Sequence, residues 1–242
     1  MADKATAKFS QSLGSLKILN ILRETYPHAK MILNYSNTWE LLVSVMLSAQ
    51  CTDKKVNEVT EALFQKYSSI EEYAHVSLTV LESDIHSTGF YKNKAKNIQN
   101  AARMILEKFG GKIPRTMEEM ICIPGVARKT ANVVLGNAYG VVEGIAVDTH
   151  VVRISQRLRL VDINTIGGKA KMMAHGKSGE ILDYIRDADP VKIERELMKI
   201  VPRDHWFQFT YEVIEHGRAI CKAQKPKCGE CRLRDLCPSA RE

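Results

Sequence analysis

Of the six cysteines in this 242-residue chain, four fall within the last twenty-two positions: Cys221, Cys228, Cys231 and Cys237. Six residues separate the first pair, two the second and five the third. Four thiolates that close together can surround one metal centre. A disulfide framework would need an oxidising compartment, and Met1 to Lys8 is polar and small, with no apolar run behind it to read as a secretory signal. A structural zinc site usually takes two close Cys/His pairs, whereas only Cys228 and Cys231 form such a pair here. Uneven wrapping suits a cubane iron–sulfur cluster, in which each iron is held by one thiolate. On spacing alone the cluster is favoured and zinc stays a competitor. Cys51 and Cys122 stand apart among apolar residues, and buried thiols are expected there.

The middle of the chain carries a second constellation, Ile121-Cys-Ile-Pro-Gly-Val-Ala-Arg-Lys-Thr-Ala-Asn132. A short helix is expected to end near Cys122, Pro124–Gly125 to turn, and a new helix to start between Val126 and Arg128. Such a turn points consecutive backbone N–H groups outward at a helix N-terminus, an anion site suited to a phosphate. Glycine at 125 would let a nucleic-acid backbone approach closely. With Arg128 and Lys129, the segment resembles a helix-hairpin-helix motif, which grips DNA without reading its sequence; an ordinary helix–turn–helix connection is the plainer alternative. Lys129 should sit on the first turn of the second helix. Beside Arg128 and a positive helix end it has reason to shed its proton, and a neutral amine is what Schiff-base chemistry requires; a lysine that only contacts a phosphate is the plainer alternative. Nineteen residues on, Asp148 in Ala146-Val-Asp-Thr-His-Val-Val-Arg153 reads both as a helix N-cap and as a carboxylate available for chemistry.

These groups need a scaffold, and almost every segment reads as helix. Phe9, Leu13, Leu16, Leu19 and Ile21–Leu22 recur at helical spacing; Trp39 to Ala49 is nearly all apolar and suggests a buried helix. Val56, Val59, Leu63 and Phe64 line another, as do Ala95, Ile98, Ala102 and Ile105, with Gly110–Gly111 as the stop. Ser69 with Glu72 and Thr116 with Glu119 have capping-box spacing, Asp189–Pro190 a cap and first-turn pair, and Asp204 could cap the helix running through Trp206 and Phe209. Val141 to Val147 is the sole strand candidate. Asp162 to Asp187, rich in glycine and lysine, reads in its first part as an exposed, mobile insertion. Apolar residues make up 45%, enough for a core, and no apolar run reaches membrane-spanning length. Lys and Arg number 35 against 28 Asp and Glu, a surplus that suits a polyanion partner.

Taken together, Leu47-Ser-Ala-Gln-Cys-Thr-Asp53, Ile123 to Val134, Ile145-Ala-Val-Asp-Thr-His150, His216-Gly-Arg218 and the terminal cysteines resemble endonuclease III, of the helix-hairpin-helix DNA glycosylase superfamily. The resemblance covers nearly the whole chain except its first residues and 162–187. It implies an all-α, two-domain fold: a six-helix barrel over 31–141, with the hairpin near 117–138, and a discontinuous cluster domain from 1–30 and 142–242. It implies a 4Fe–4S cluster on Cys221, Cys228, Cys231 and Cys237. It further implies a bifunctional enzyme, expected to be a monomer with no membrane contact, acting inside the cell on nucleoid DNA. Such an enzyme excises oxidised pyrimidines from duplex DNA through a Lys129 Schiff base assisted by Asp148, across a groove between the domains, then cleaves the abasic site by β-elimination. Gln50 would fill the hole left by the extruded base and Phe90 wedge from the other side, with Gly125, Val126, Ala127, Arg128 and His150 also at the DNA. The basic residues Lys222, Lys225, Lys227 and Arg232 would meet the phosphate backbone. Ala127 replaces a second hairpin glycine, and an ordinary helical φ is expected there. A mismatch-specific glycosylase of the same superfamily and a non-catalytic cluster-bearing DNA-binding module are the alternatives. Adenine-specific relatives lack the hairpin lysine that this chain has.

Overall fold

A computed structural model describes residues 2–176 and 179–241, with side chains from Gly14 onward. Phe9, Leu13 and Lys177 therefore lie outside the described side chains. The chain forms two compact units, one from residues 1–30 with 144–242 and the other from 31–143. No helix among the described residues is long and apolar enough to cross a membrane.

Helix α1 (Ala2–Thr25) belongs to the first unit. Ile18, Leu19 and Leu22 are its buried face, while Leu16, expected on that face, is 44% exposed.

The 31–143 unit follows with seven helices: α2 (Thr38–Leu47), α3 (Asp53–Lys66), α4 (Ile70–His75), α5 (Leu78–Asp84), α6 (Tyr91–Phe109), α7 (Met117–Met120) and α8 (Arg128–Tyr139). The apolar run of α2 makes it the centre: Leu41, Leu42, Val43 and Leu47 are fully buried, and α8 packs on it. Each such side chain contributes about 1.5–3 kcal/mol through burial. Asn37 caps α2 by accepting from the Glu40 N–H at 2.9 Å. Helix α6 buries Ala95, Ile98, Ala102 and Ile105 and stops at left-handed Gly110. Ser69 and Glu72 form the expected capping box on α4.

The chain then returns to the first unit with α9 (Thr149–Arg157), strands β1 (Lys171–Gly176) and β2 (Gly179–Ile185), α10 (Pro190–Leu197) and α11 (Trp206–Ala219). Val151 and Ile154 of α9, Ile193 and Leu197 of α10, and Phe209 and Val213 of α11 close on the α1 face. Asp189 caps α10, accepting from the Val191 N–H at 2.9 Å with Pro190 in the first turn.

Four expectations are corrected. The strand candidate Val141–Val147 is unpaired; its Ile145, Ala146 and Val147 are apolar because they enter the core, where the Thr210 hydroxyl donates to the Ala146 carbonyl at 3.1 Å. The strands lie instead in the segment read as an insertion. There β1 and β2 pair antiparallel with an irregularity at Met172/Met173, and Ile166, Asp183 and Ile185 are buried. Asp204 does not cap α11; it lies inside a 3-10 turn, and the residue before the helix is His205. Cys51 is half-buried and Cys122 exposed, since Cys122 falls on the outer side of the turn after α7.

Candidate functional site

Within the 31–143 unit, the turn after α7 is closed by the Val126 N–H donating to the Ile123 carbonyl at 3.0 Å. Pro124 presets its first central φ, and Gly125 supplies the second at +79°. Val126 is buried and its N–H lies inside the turn, so it is not one of the outward amides that the sequence suggested. Ala127 is the residue before α8, with φ −92° and ψ 169°: extended rather than helical, and unstrained. Arg128 and Lys129 are the first two helical residues, half-buried, at the end where backbone N–H groups have no intrahelical acceptor.

Gly125 has a packing reason as well. A Cβ there would stand 2.8 Å from Asn97 Cβ and 2.8 Å from Met46 Cε, so the close approach that glycine permits is to its own unit. Gly125→Ala combines left-handed strain with overpacking and should destabilise this unit by roughly 2–4 kcal/mol. An unchanged urea midpoint would show that the turn is more forgiving than this.

Gln50 and Phe90 stand on the same unit in a shared local state. With Arg159 they are the only non-glycine residues of positive φ among those described, at 52° for Gln50 and 49° for Phe90. Such backbone costs about 1–3 kcal/mol per residue unless its surroundings hold it. Both side chains are exposed, Phe90 at 65%, and both line one cavity of about 210 Å³ that reaches Gly125. Sequence reading missed Lys94 on the wall of that cavity. The available signal was periodicity: Lys94 stands four residues before Ile98, on the buried stripe of α6.

In the other unit, Asp148 Oδ1 accepts from the His150 and Val151 N–H groups at 2.9 and 2.8 Å, capping α9. His150 Nδ1 lies 3.1 Å from Arg153 Nη2. A guanidinium only donates, so Nδ1 accepts and the ring proton sits on Nε2. Arg153 also donates to the Cys221 carbonyl at 2.9 Å, linking the Asp148 helix to the first cysteine. Gly217 is glycine because a Cβ would fall 2.3 Å from His150 Nδ1.

The four terminal thiols line one cavity with Arg157, Leu158, His216 and Ile220. Among the described residues no three His, Cys, Asp or Glu side chains converge tightly enough to hold a single metal ion. Arg157 is 2% exposed; it grips Asp183 through two bonds of 2.9 and 2.7 Å and donates to the Lys222 and Ala223 carbonyls at 2.8 Å each. Its Nη1 is also 3.3 Å from Cys221 Sγ, a buried positive charge beside thiols that would be anionic as ligands. Burial pushes the Cys237 thiol up to about 11 and the His216 imidazole down to about 4. Burial raises the Cys231 thiol as well, so ligation at Cys231 and Cys237 must displace a proton. Four soft donors, an apolar wall and a buried counter-charge fit an iron–sulfur centre.

Comparison with known proteins agrees. Residues 43–178 match the HhH-GPD superfamily base excision DNA repair protein model, and residues 221–237 match the iron-sulfur binding domain of endonuclease III. The chain is 48% identical over 231 residues to endonuclease III of Synechocystis sp., covering 96% of this chain and 94% of that protein. It belongs to the endonuclease III family. Endonuclease III of Escherichia coli K12 is 36% identical over 222 residues, covering 92% of this chain and 93% of its own. Two solved structures are similar over nearly all of both chains at 40% identity. A non-covalent endonuclease III–DNA complex has TM-score 0.82 and covers 95% of this chain and 96% of its own. A trapped endonuclease III–DNA covalent intermediate, an estranged-adenine complex, has TM-score 0.80 and covers 93% and 96%. As a member, this protein has the all-α helix-hairpin-helix glycosylase fold, is a DNA glycosylase and abasic-site lyase, and carries a 4Fe–4S cluster.

Proposed function

We infer that the protein acts as a monomer on duplex DNA inside the cell, at the nucleoid, removing oxidised pyrimidines and cutting the strand at the abasic site. Lys129 is the nucleophile. Its amine attacks the sugar C1′, the bond to the damaged base breaks, and the base leaves with a proton. The resulting imine acidifies C2′; loss of that proton expels the 3′ phosphate by β-elimination. The observation that carries this reading is the place of Lys129 at the second residue of α8, at the helix end where backbone N–H groups have no intrahelical acceptor and suit a phosphate. Gln50 and Phe90 enter the duplex where the base is extruded, and Gly125, Ala127, Arg128 and His150 serve the DNA backbone. Cys221, Cys228, Cys231 and Cys237 hold the cluster, which supplies structural order to a loop rather than a reaction step. Residues 31–141 act as the barrel domain, and 1–30 with 142–242 as the cluster domain. The test is a panel of duplexes carrying thymine glycol, 8-oxoguanine or an undamaged A·T pair, incubated with borohydride. Crosslinking and base release on the oxidised pyrimidine support the reading; release only from purine lesions defeats it.

Asp148 stabilises positive charge developing on the sugar. Its capping role can be separated from that charge, because asparagine caps a helix as well as aspartate. Asp148→Asn should thus slow base release about 100-fold while leaving thermal stability and DNA affinity nearly as they were. Unchanged single-turnover excision would remove Asp148 from the chemistry.

A further inference from the structure

Lys94 is a lysine where a lysine is costly. It is 6% exposed, on the face of α6 that otherwise carries Ile98 and Ile105. Burial pushes its ammonium down from the ordinary lysine value. No carboxylate bonds it among the described contacts. Instead Nζ donates to the Leu47 carbonyl at 2.8 Å and to the Thr88 carbonyl at 2.8 Å. Those two acceptors are far apart in sequence but alike in position. Leu47 is the last residue of α2, three before Gln50; Thr88 is the last residue of a 3-10 turn, two before Phe90. A carbonyl at a helix end has no partner within the helix and carries the negative end of its dipole, so an ammonium suits both. The Lys94 backbone N–H also donates to the Phe90 carbonyl at 3.1 Å. One residue thus holds the roots of both positive-φ residues, and its side chain walls the cavity between them.

We propose that Lys94 is the positioning residue that fixes the spacing and attitude of Gln50 and Phe90, so that both side chains enter the duplex together. The inference rests on the reading of Gln50 and Phe90 as duplex-entering groups. Two loops with strained roots would otherwise relax independently, and misplacement of such a group by about 1 Å can cost on the order of 100-fold in rate. Methionine at 94 keeps the length and loses the side-chain donor, leaving the Leu47 and Thr88 carbonyls without their bonds.

The measurement compares two single-turnover rates on one protein: release of thymine glycol from duplex, and incision of a preformed abasic site. The first requires a paired base to be pushed out, while the second has no base pair to break. Lys94→Met should lose about 30-fold in the first and less than about 3-fold in the second. A merely structural role would lower the folded fraction and both rates together, and that outcome, or an unchanged ratio, overturns the proposal. If Lys94→Met does not fold, Lys94→Gln, which keeps a donor, is read by the same ratio. Gln50→Ala and Phe90→Ala are measured alongside. Should neither shift the ratio, the duplex-entry reading itself fails. Should they shift it while Lys94→Met does not, only the role of Lys94 falls.

Discussion

Lys129→Ala protein should bind abasic duplex with near-normal affinity yet give no borohydride crosslink, with strand incision reduced at least ~1,000-fold. The size follows from the chemistry. Without the amine no imine forms, the C2′ proton keeps its ordinary acidity, and neither base loss nor elimination has a low-energy route. The competing account of Lys129 is a lysine that only contacts a phosphate. Lys129→Arg separates the two: it keeps the cation at the second residue of α8 but has no nucleophilic amine at any accessible pH. On the nucleophile account Arg restores neither crosslink nor incision; on the phosphate account it restores incision. A crosslink that survives in Lys129→Ala would transfer the role to another amine, and proteolysis of the trapped complex would locate it.

A second large effect, on the metal centre and on folding, is expected at Cys237. Between Cys221 and Cys237 the chain has two 3-10 turns, Cys228–Glu230 and Arg234–Leu236, and no α-helix or strand. Its buried Leu233 and the half-buried Cys221, Cys231 and Cys237 join the core of the 1–30 and 144–242 unit, but little regular backbone holds them there. A cofactor that binds only the folded loop adds its binding free energy to folding. Cys237→Ala should therefore retain little of the roughly four irons of a 4Fe–4S centre, bleach the visible absorption, and lower the urea midpoint. Affinity for duplex should fall more than ~10-fold, because Lys222 and Lys225 on that loop lose their fixed place. Full iron content in the variant would strike Cys237 from the ligand set. The loop is less uniformly cationic than its sequence suggests: Lys227 meets Glu230 and Arg232 meets Glu24, both at 3.3 Å.

What could be read in advance followed from local rules. The apolar run of α2, the stripe of α6, the Ser69 capping box and the Asp189–Pro190 start of α10 each depend on residues within a few positions of one another. The Pro124–Gly125 turn and the N-cap half of the Asp148 reading were legible for the same reason. The misses are non-local. The β1–β2 hairpin has weak alternation and many glycines and lysines, and its order comes from burying Ile185 and Asp183 against residues remote in sequence. Lys94 passed as one more helical lysine, since nothing local reveals that its ammonium meets carbonyls 47 and 6 residues away. The packing need for glycine at 125 is equally non-local, since the atoms a Cβ would meet belong to Met46 and Asn97.

The Arg157–Asp183 pair makes the hairpin less dispensable than it looks. One carboxylate of β2 holds the guanidinium that in turn holds Lys222, Ala223 and Cys221, and Arg241 reaches the same carboxylate at 2.8 Å. Breaking a buried pair of this kind costs about 3–5 kcal/mol. A loop-shortening design that deleted 171–185 as surface decoration would leave that charge stranded beside the first thiol. The segment that most invites trimming is the keystone on which the metal-binding end of the chain is laid.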